Sequence, residues 1–318
     1  MRRRDFIVTS AALLAAPYAR AAGNFPEKDI TFIIPYSAGG GFDNYVRAIA
    51  TPMEKYLPHK VTIIPTNVPA GGGTRGTNQL YRAKPDGYTI AIFNIPGMFV
   101  LQKSGDAGYD LSKVTWLGSI GRDHYGLGVG ARSPIKSVAD LKALSAQRPV
   151  KFTTTGPEAT AYAATQISTE VLGIKAQMIG GYKGSNEYVV AAIRGDGDAV
   201  ITALPLLRRM QAGGELRILA AFEDHADIPG ADDATTLKQP ELSQIVLERL
   251  IGAPPGLPAE IRTVLADALG KAVADPEVAA WAKKSGSELA WAAPDRAAQI
   301  LAEQAKFFDK WKKYLVHS

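Results

Sequence analysis

Pro35-Tyr36-Ser37-Ala38-Gly39-Gly40-Gly41-Phe42-Asp43 and, further on, Asn67-Val68-Pro69-Ala70-Gly71-Gly72-Gly73 are the two stretches on which the reading of this chain turns. Each follows an apolar run with strand character, residues 30–35 and 61–65, and each opens a helical pattern. Glycine lets the backbone turn sharply and lets a ligand approach bare N–H groups. A helix N-terminus carries free N–H donors and roughly half a positive charge, so it attracts anions. Two such turns close together predict a pocket for a carboxylate or a phosphate.

Working outward, strand-like and helix-like segments alternate along the chain. Residues 43–56 read as a helix with Val46, Ile49, Ala50 and Met53 on one face. Strands are expected at 88–95, 115–120, 125–129, 150–154, 175–179, 199–201 and 218–221. Helices are expected at 77–83, 138–146, 160–172, 187–194, 259–274, 276–284 and 294–315. This alternation predicts an α/β fold with largely parallel sheets. The polar link Gly121-Arg122-Asp123-His124 between two strands offers one crossing between lobes, and residues 223–233 offer the return. Two lobes joined this way leave a cleft for a small ligand.

The 318 residues include no cysteine, which removes disulfides, thiolate metal sites and a lipidated N-terminal cysteine. Arg2-Arg3-Arg4-Asp5-Phe6-Ile7, an apolar stretch at 8–17 and Ala19-Arg20-Ala21 resemble a twin-arginine export signal, with a basic general-secretion signal as the alternative. Residues 1–21 are therefore expected to be cleaved, leaving an exported periplasmic protein. Their loss removes four arginines and one aspartate, so the formal charge of +5 falls to about +2. The remaining chain has no clustered basic run of the kind nucleic-acid binding needs.

Several patterns point away from enzymes. Gly71-Gly72-Gly73-Thr74-Arg75-Gly76 matches G-x-G-x-x-G, but the next strand ends Phe93-Asn94-Ile95, without the carboxylate that binds a ribose. His59, His124, His225 and His317 show no metal-ligand spacing, and no nucleophile elbow is present. No cofactor and no metal are expected. An exported α/β enzyme acting on an organic acid or phosphate ester is the alternative class, and it needs a catalytic set that is not evident. Asp43, four residues before Arg47, is read as a brace for the 39–41 turn. Thr153-Thr154-Thr155-Gly156 stands where hydroxyls cap a helix or bond a ligand oxygen. Lys183, ahead of another helix, is either an ordinary solvated lysine or a positive charge at the cleft.

Together these segments resemble the solute receptors of tripartite tricarboxylate transport systems, the Bug family. The first two loops quoted above, Ala83-Lys84-Pro85-Asp86-Gly87-Tyr88-Thr89, Tyr182-Lys183-Gly184-Ser185, Gly195-Asp196-Gly197-Asp198 and Ala253-Pro254-Pro255-Gly256-Leu257-Pro258 carry the resemblance, with Asp275-Pro276-Glu277-Val278. It implies a two-lobed, type II, Venus-flytrap-like periplasmic binding protein. Lobe 1 would comprise 22–121 and 234–318, and lobe 2 would comprise 122–233. The implied function is capture of a small organic carboxylate and delivery to a membrane permease, or reporting to a sensor kinase, by a monomer.

The expected ligand residues are the backbone of Gly39, Gly40, Gly41, Gly71, Gly72 and Gly73. Ser37, Asn94, Thr155 and Thr160 would add hydrogen bonds, and Tyr36, Phe42 and Phe93 an apolar wall. Asp43, Lys183 and Asp198 complete the set. The chain departs from the family pattern at Gly156-Pro157-Glu158-Ala159-Thr160, where a serine is replaced, and at Asp233-Ala234-Thr235-Thr236-Leu237.

Overall fold

A computed structural model describes residues 24–103, 105, 107–156, 160–182 and 184–311. The export segment at 1–21, Glu158 and Lys183 lie outside the described residues. The first part runs β1 (Ile30–Ile34), α1 (Gly41–Glu54), β2 (Ile63–Asn67), α2 (Thr74–Tyr81), β3 (Thr89–Ile95) and α3 (Gly97–Lys103). A long strand β4 (Thr115–Gly130) leads to α4 (Val138–Gln147), β5 (Val150–Thr153), α5 (Thr160–Leu172) and β6 (Ala176–Ile179). Then come α6 (Ser185–Arg194), β7 (Ala199–Ala203), α7 (Leu204–Ala212) and β8 (Leu216–Ala221). The described chain closes with β9 (Val246–Ala253), α8 (Ala259–Val273), α9 (Pro276–Ser285), β10 (Leu289–Ala292) and α10 (Pro294–Lys310).

Helix α1 forms because Tyr45, Val46, Ile49, Ala50 and Met53 recur at helical spacing, and all are buried against the first half of the sheet. The α/β expectation holds, but the sheet is mixed rather than largely parallel. Its order is β2-β1-β3-β9-β4-β7-β5-β6, with β10 and β8 also paired to β4. Parallel pairing is confined to β1 with β2 and β3, and β5 with β6 and β7. The centre is antiparallel, because β9 returns between β3 and β4.

The polar link at 121–124 is not a loop. Thr115–Gly130 is one strand of 16 residues, passing from β9 and β10 at its start to β7 and β8 at its end. Charges continue the strand because β9 supplies their counter-charges. Arg122 stands opposite Glu248 at 3.1 Å, and Asp123 meets Arg249 at 2.5 Å. For the same reason β9 escapes sequence detection, since Glu248-Arg249 interrupts its apolar run, yet both are buried. The halves also share α10. Ala297 and Leu301 pack with the first half, while Phe307, Phe308 and Trp311 pack with the second, as do Ala234 and Leu242.

Candidate functional site

Parallel strands β1 and β2 end level with one another, Ile34 beside Asn67, so the two glycine turns leave the same sheet end. Strand β3, parallel to β1, delivers Asn94 towards that end as well. Ligands of open α/β sheets bind outside such carboxyl ends. Gly40 caps α1 in extended conformation without any side-chain cap, which leaves the helix N-terminus to other partners.

A polar network ties the first turn down. Gly39 N–H donates to Asp43 Oδ2 at 2.8 Å, and Arg47 Nε reaches both Asp43 oxygens at 2.9 Å. Asn67 Nδ2 donates to Asp43 Oδ1 at 2.9 Å and to the Tyr36 carbonyl at 3.0 Å, while Arg47 Nη2 donates to Asn67 Oδ1 at 2.9 Å. Asp43 is 3% exposed. Burial pushes its carboxyl up, but Arg47, the Gly39 amide and Asn67 together outweigh it and hold the group below the usual range. Asp43 therefore stands as a braced carboxylate within the turn.

The second turn is built from backbone. Gly71, Gly72 and Gly73 have φ of +57°, +61° and +107° in a single 3₁₀ turn, and Ala70 sits at φ +146°, a strained value for alanine. Tyr36 spans both turns, because its ring stacks on Phe42 at 4.6 Å and its hydroxyl donates to Gly72 O at 3.2 Å. Burial pushes the Tyr36 phenol up, opposed in part by Asn94. A β-carbon on Gly73 would stand 3.0 Å from the Tyr36 hydroxyl.

The second half of the sheet reaches this end through Thr160. Thr160 opens α5, is buried, and donates through Oγ1 to Asn94 Oδ1 at 3.2 Å. The structure thus brings together Tyr36, Phe42, Asp43, Asn94, Thr160 and both glycine turns. Ser37 is exposed within the first turn. Thr155 ends the strand region after β5, and its buried hydroxyl has no hydrogen-bond partner among the described residues.

Two expected residues are not brought to this end. Asp198 precedes the N-terminal end of β7, where Arg148 grips both its oxygens at 2.7 and 2.8 Å and Lys151 N–H donates at 2.8 Å. Because β7 runs parallel to β5, that position lies opposite the strand end carrying Thr155. Asp198 is a structural ion-pair partner there. Phe93 is fully buried and packs edge-on against Trp116 at 4.9 Å, so it belongs to the core between β3 and β4 and not to a ligand wall.

Tertiary structure adds residues that the sequence did not mark. Gly97 faces Thr160 so closely that a β-carbon there would stand 2.1 Å from Thr160 Oγ1. Arg249, from the middle of β9, lies beneath the first turn with its Nη2 3.5 Å from where a Gly41 β-carbon would be. Its guanidinium stacks on Tyr45 at 4.1 Å and on Phe42 at 5.2 Å. The charged pair inside an apolar run was the available signal. His124 also gains neighbours that spacing could not show, with Glu223 and Glu288 each 3.8 Å from Nδ1. These ligand-type atoms lie within 4.8 Å of one another, and Arg208 already offsets both glutamates at 3.2 and 3.4 Å.

The mixed α/β sheet has the fold of periplasmic binding proteins and carries both glycine turns at one end of its parallel strands. The chain belongs to the tripartite tricarboxylate transporter receptor family, whose model matches residues 45–315. Protein BugT of Bordetella pertussis is 26% identical over 94% of this chain and 91% of its own. Among solved structures, R. palustris Rpa4515 with adipate superimposes with a TM-score of 0.76 at 22% identity, covering 92% of this chain and 98% of that one. MatC from Rhodopseudomonas palustris with bound malate gives a TM-score of 0.75 at 20% identity, covering 92% of this chain and 100% of that one. Family and fold are those of a receptor and not of an enzyme. No helix among the described residues is long and apolar enough to cross a membrane.

Proposed function

We propose that this receptor captures a small organic mono- or dicarboxylate at the shared end of β1 and β2. The observation that carries this reading is the pairing of the two glycine turns there, with Asn67 hydrogen-bonded to both Asp43 and the Tyr36 carbonyl. Backbone N–H groups of the two turns take one carboxylate, Gly39 and Gly73 excepted because theirs are donated to Asp43 Oδ2 and Ala70 O; helix N-termini present donors and partial positive charge. Tyr36 and Phe42 form an apolar wall, and Asn94, Thr160 and Thr155 supply hydrogen bonds from β3 and the second half. The orphan Thr155 hydroxyl supports this assignment, since a buried donor without a partner is costly. The dicarboxylates adipate and malate in the two similar structures agree with the ligand class.

The same reading places the protein in the periplasm after removal of residues 1–21. It has two lobes, 22–121 with the bulk of the chain from β9 to α10 and 122–233 with residues 234–242 and the end of α10 packed on it, closing on the ligand and presenting it as a monomer to a membrane permease. A sensor kinase would read the same closed form. A thermal-shift screen of the purified protein against mono-, di- and tricarboxylates tests the reading, because a ligand bound only by the folded state raises Tm with concentration. One acid class should give a saturable shift and be recovered chemically unchanged. Gly40→Asp should weaken that acid at least about ten-fold with little change in unliganded Tm, since a carboxylate at the turn repels an anion. No shift with any acid, or unaltered affinity in Gly40→Asp, sinks the assignment.

A further inference from the structure

Arg249 is 3% exposed, yet its Nε and Nη1 have no hydrogen-bond partner among the described residues. Only Nη2 is paired, to Asp123 Oδ2 at 2.5 Å. Burial opposes the charge, but the Asp123 carboxylate outweighs it, so the guanidinium stays cationic. Such a group is a poor choice for packing alone, because an apolar side chain of similar volume usually serves stability as well or better. Stacking on Tyr45 and Phe42 accounts for its position but not for its charge. What distinguishes the position is the first glycine turn directly above it. Gly41, the first residue of the fourteen-residue α1, lies against Nη2 and is itself exposed.

We infer that Arg249 is a specificity-determining residue of the anion site, a fixed cation beneath the 39–41 turn that makes the receptor select a fully ionised carboxylate. The inference rests on the carboxylate reading above and adds a residue to the same site. Arg249 acts through charge across the turn, without touching the ligand. Asp123 holds the guanidinium in place and also offsets part of its field. The two halves of one ion pair therefore have opposite effects on anion binding, although each stabilises the fold.

Calorimetric titration of malate and adipate, backed by the wider acid panel, into the full-chain wild type, Arg249→Met, Arg249→Lys and Asp123→Asn tests this. Arg249→Met should weaken the bound acid about ten-fold or more, because a unit positive charge beneath the turn attracts an anion held at the turn. Arg249→Lys should restore affinity to within a few-fold of wild type. Asp123→Asn should tighten binding, or enlarge the ligand-induced rise in Tm, even though its unliganded Tm falls. A purely structural ion pair predicts that Arg249→Met and Asp123→Asn weaken binding together. That result, or unchanged affinity in Arg249→Met, overturns the inference while wild-type binding keeps the receptor reading intact. Should Arg249→Met fail to fold, the sign of the Asp123→Asn effect still decides. A wild type that binds no acid of the panel overturns the receptor reading and this inference with it.

Discussion

The two glycine turns look alike in sequence, each reading Ala-Gly-Gly-Gly after a strand, but they are held in opposite ways. The first is held by side chains: Asp43, Arg47 and Asn67 close a polar network around it, and only Gly39 has a left-handed φ, +78°. The second is held by the backbone, with three consecutive left-handed glycines and close steric contact to Tyr36 and Met98. The first turn thus depends on charge and the second on the absence of β-carbons. Similar composition hides different physics, and substitutions should separate the two.

The largest effect is expected behind the second turn. Gly76 lies so close to β1 that a β-carbon would stand 2.8 Å from Pro35 Cβ, 2.9 Å from Pro35 Cα and 3.0 Å from the Val68 carbonyl. Backbone cannot yield there, so Gly76→Ala should cost about 2–3 kcal/mol, read as a lowered denaturation midpoint in urea. Gly40→Ala in the first turn meets only Ser37 O at 3.5 Å and should leave the midpoint nearly unchanged. Equal costs for both would erase the distinction.

Next in size is Asp43→Asn, which removes the charge that holds the first turn and should cost about 2 kcal/mol near neutral pH. Because the folded Asp43 carboxyl titrates below its unfolded value, its stabilisation is present above about pH 4 and is lost as pH falls through the lower folded pKa. The gap between wild type and Asp43→Asn, followed by urea titration from pH 7 downward, should therefore shrink in acid. Buried Glu248 shifts the other way, raised by burial, but it is present in both proteins and drops out of the difference. A gap that is constant with pH would show that the first turn does not depend on this charge.

The smallest effect is expected for Tyr36→Phe, which deletes the hydroxyl bond to Gly72 but keeps the ring stacked on Phe42. A neutral hydrogen bond at 3.2 Å is worth about 1 kcal/mol or less, so Tm should fall by only a few degrees. A much larger loss would mean that this one hydroxyl, and not the left-handed backbone, holds the second turn.

Much of the fold was legible where local rules dominate. Helix α1 showed its apolar face, and β1, β2, β3, β5 and β6 showed apolar runs bounded by turn residues. Helices α3 and α7 and strands β9 and β10 were not read from the sequence, and in two places the sequence contradicts its surroundings. Glu248 and Arg249 interrupt β9, and Arg122, Asp123 and His124 look like a loop within β4. Across the ladder each strand supplies counter-charge to the other. Asp198 erred in the other direction, since its family-like setting gave no hint that Arg148 would claim it.

The sequence by itself determined the α/β class, the two glycine turns and the bracing of the first by Asp43, because these depend on neighbours within a few residues or on glycine's own backbone freedom. Only the tertiary structure decided that the turns share one sheet end and that Thr160 meets Asn94 there. It also decided that Arg249 lies beneath Gly41. Those relations join residues far apart in the chain, and they exist because strand pairing and burial, rather than local propensity, choose which distant charges and hydroxyls meet.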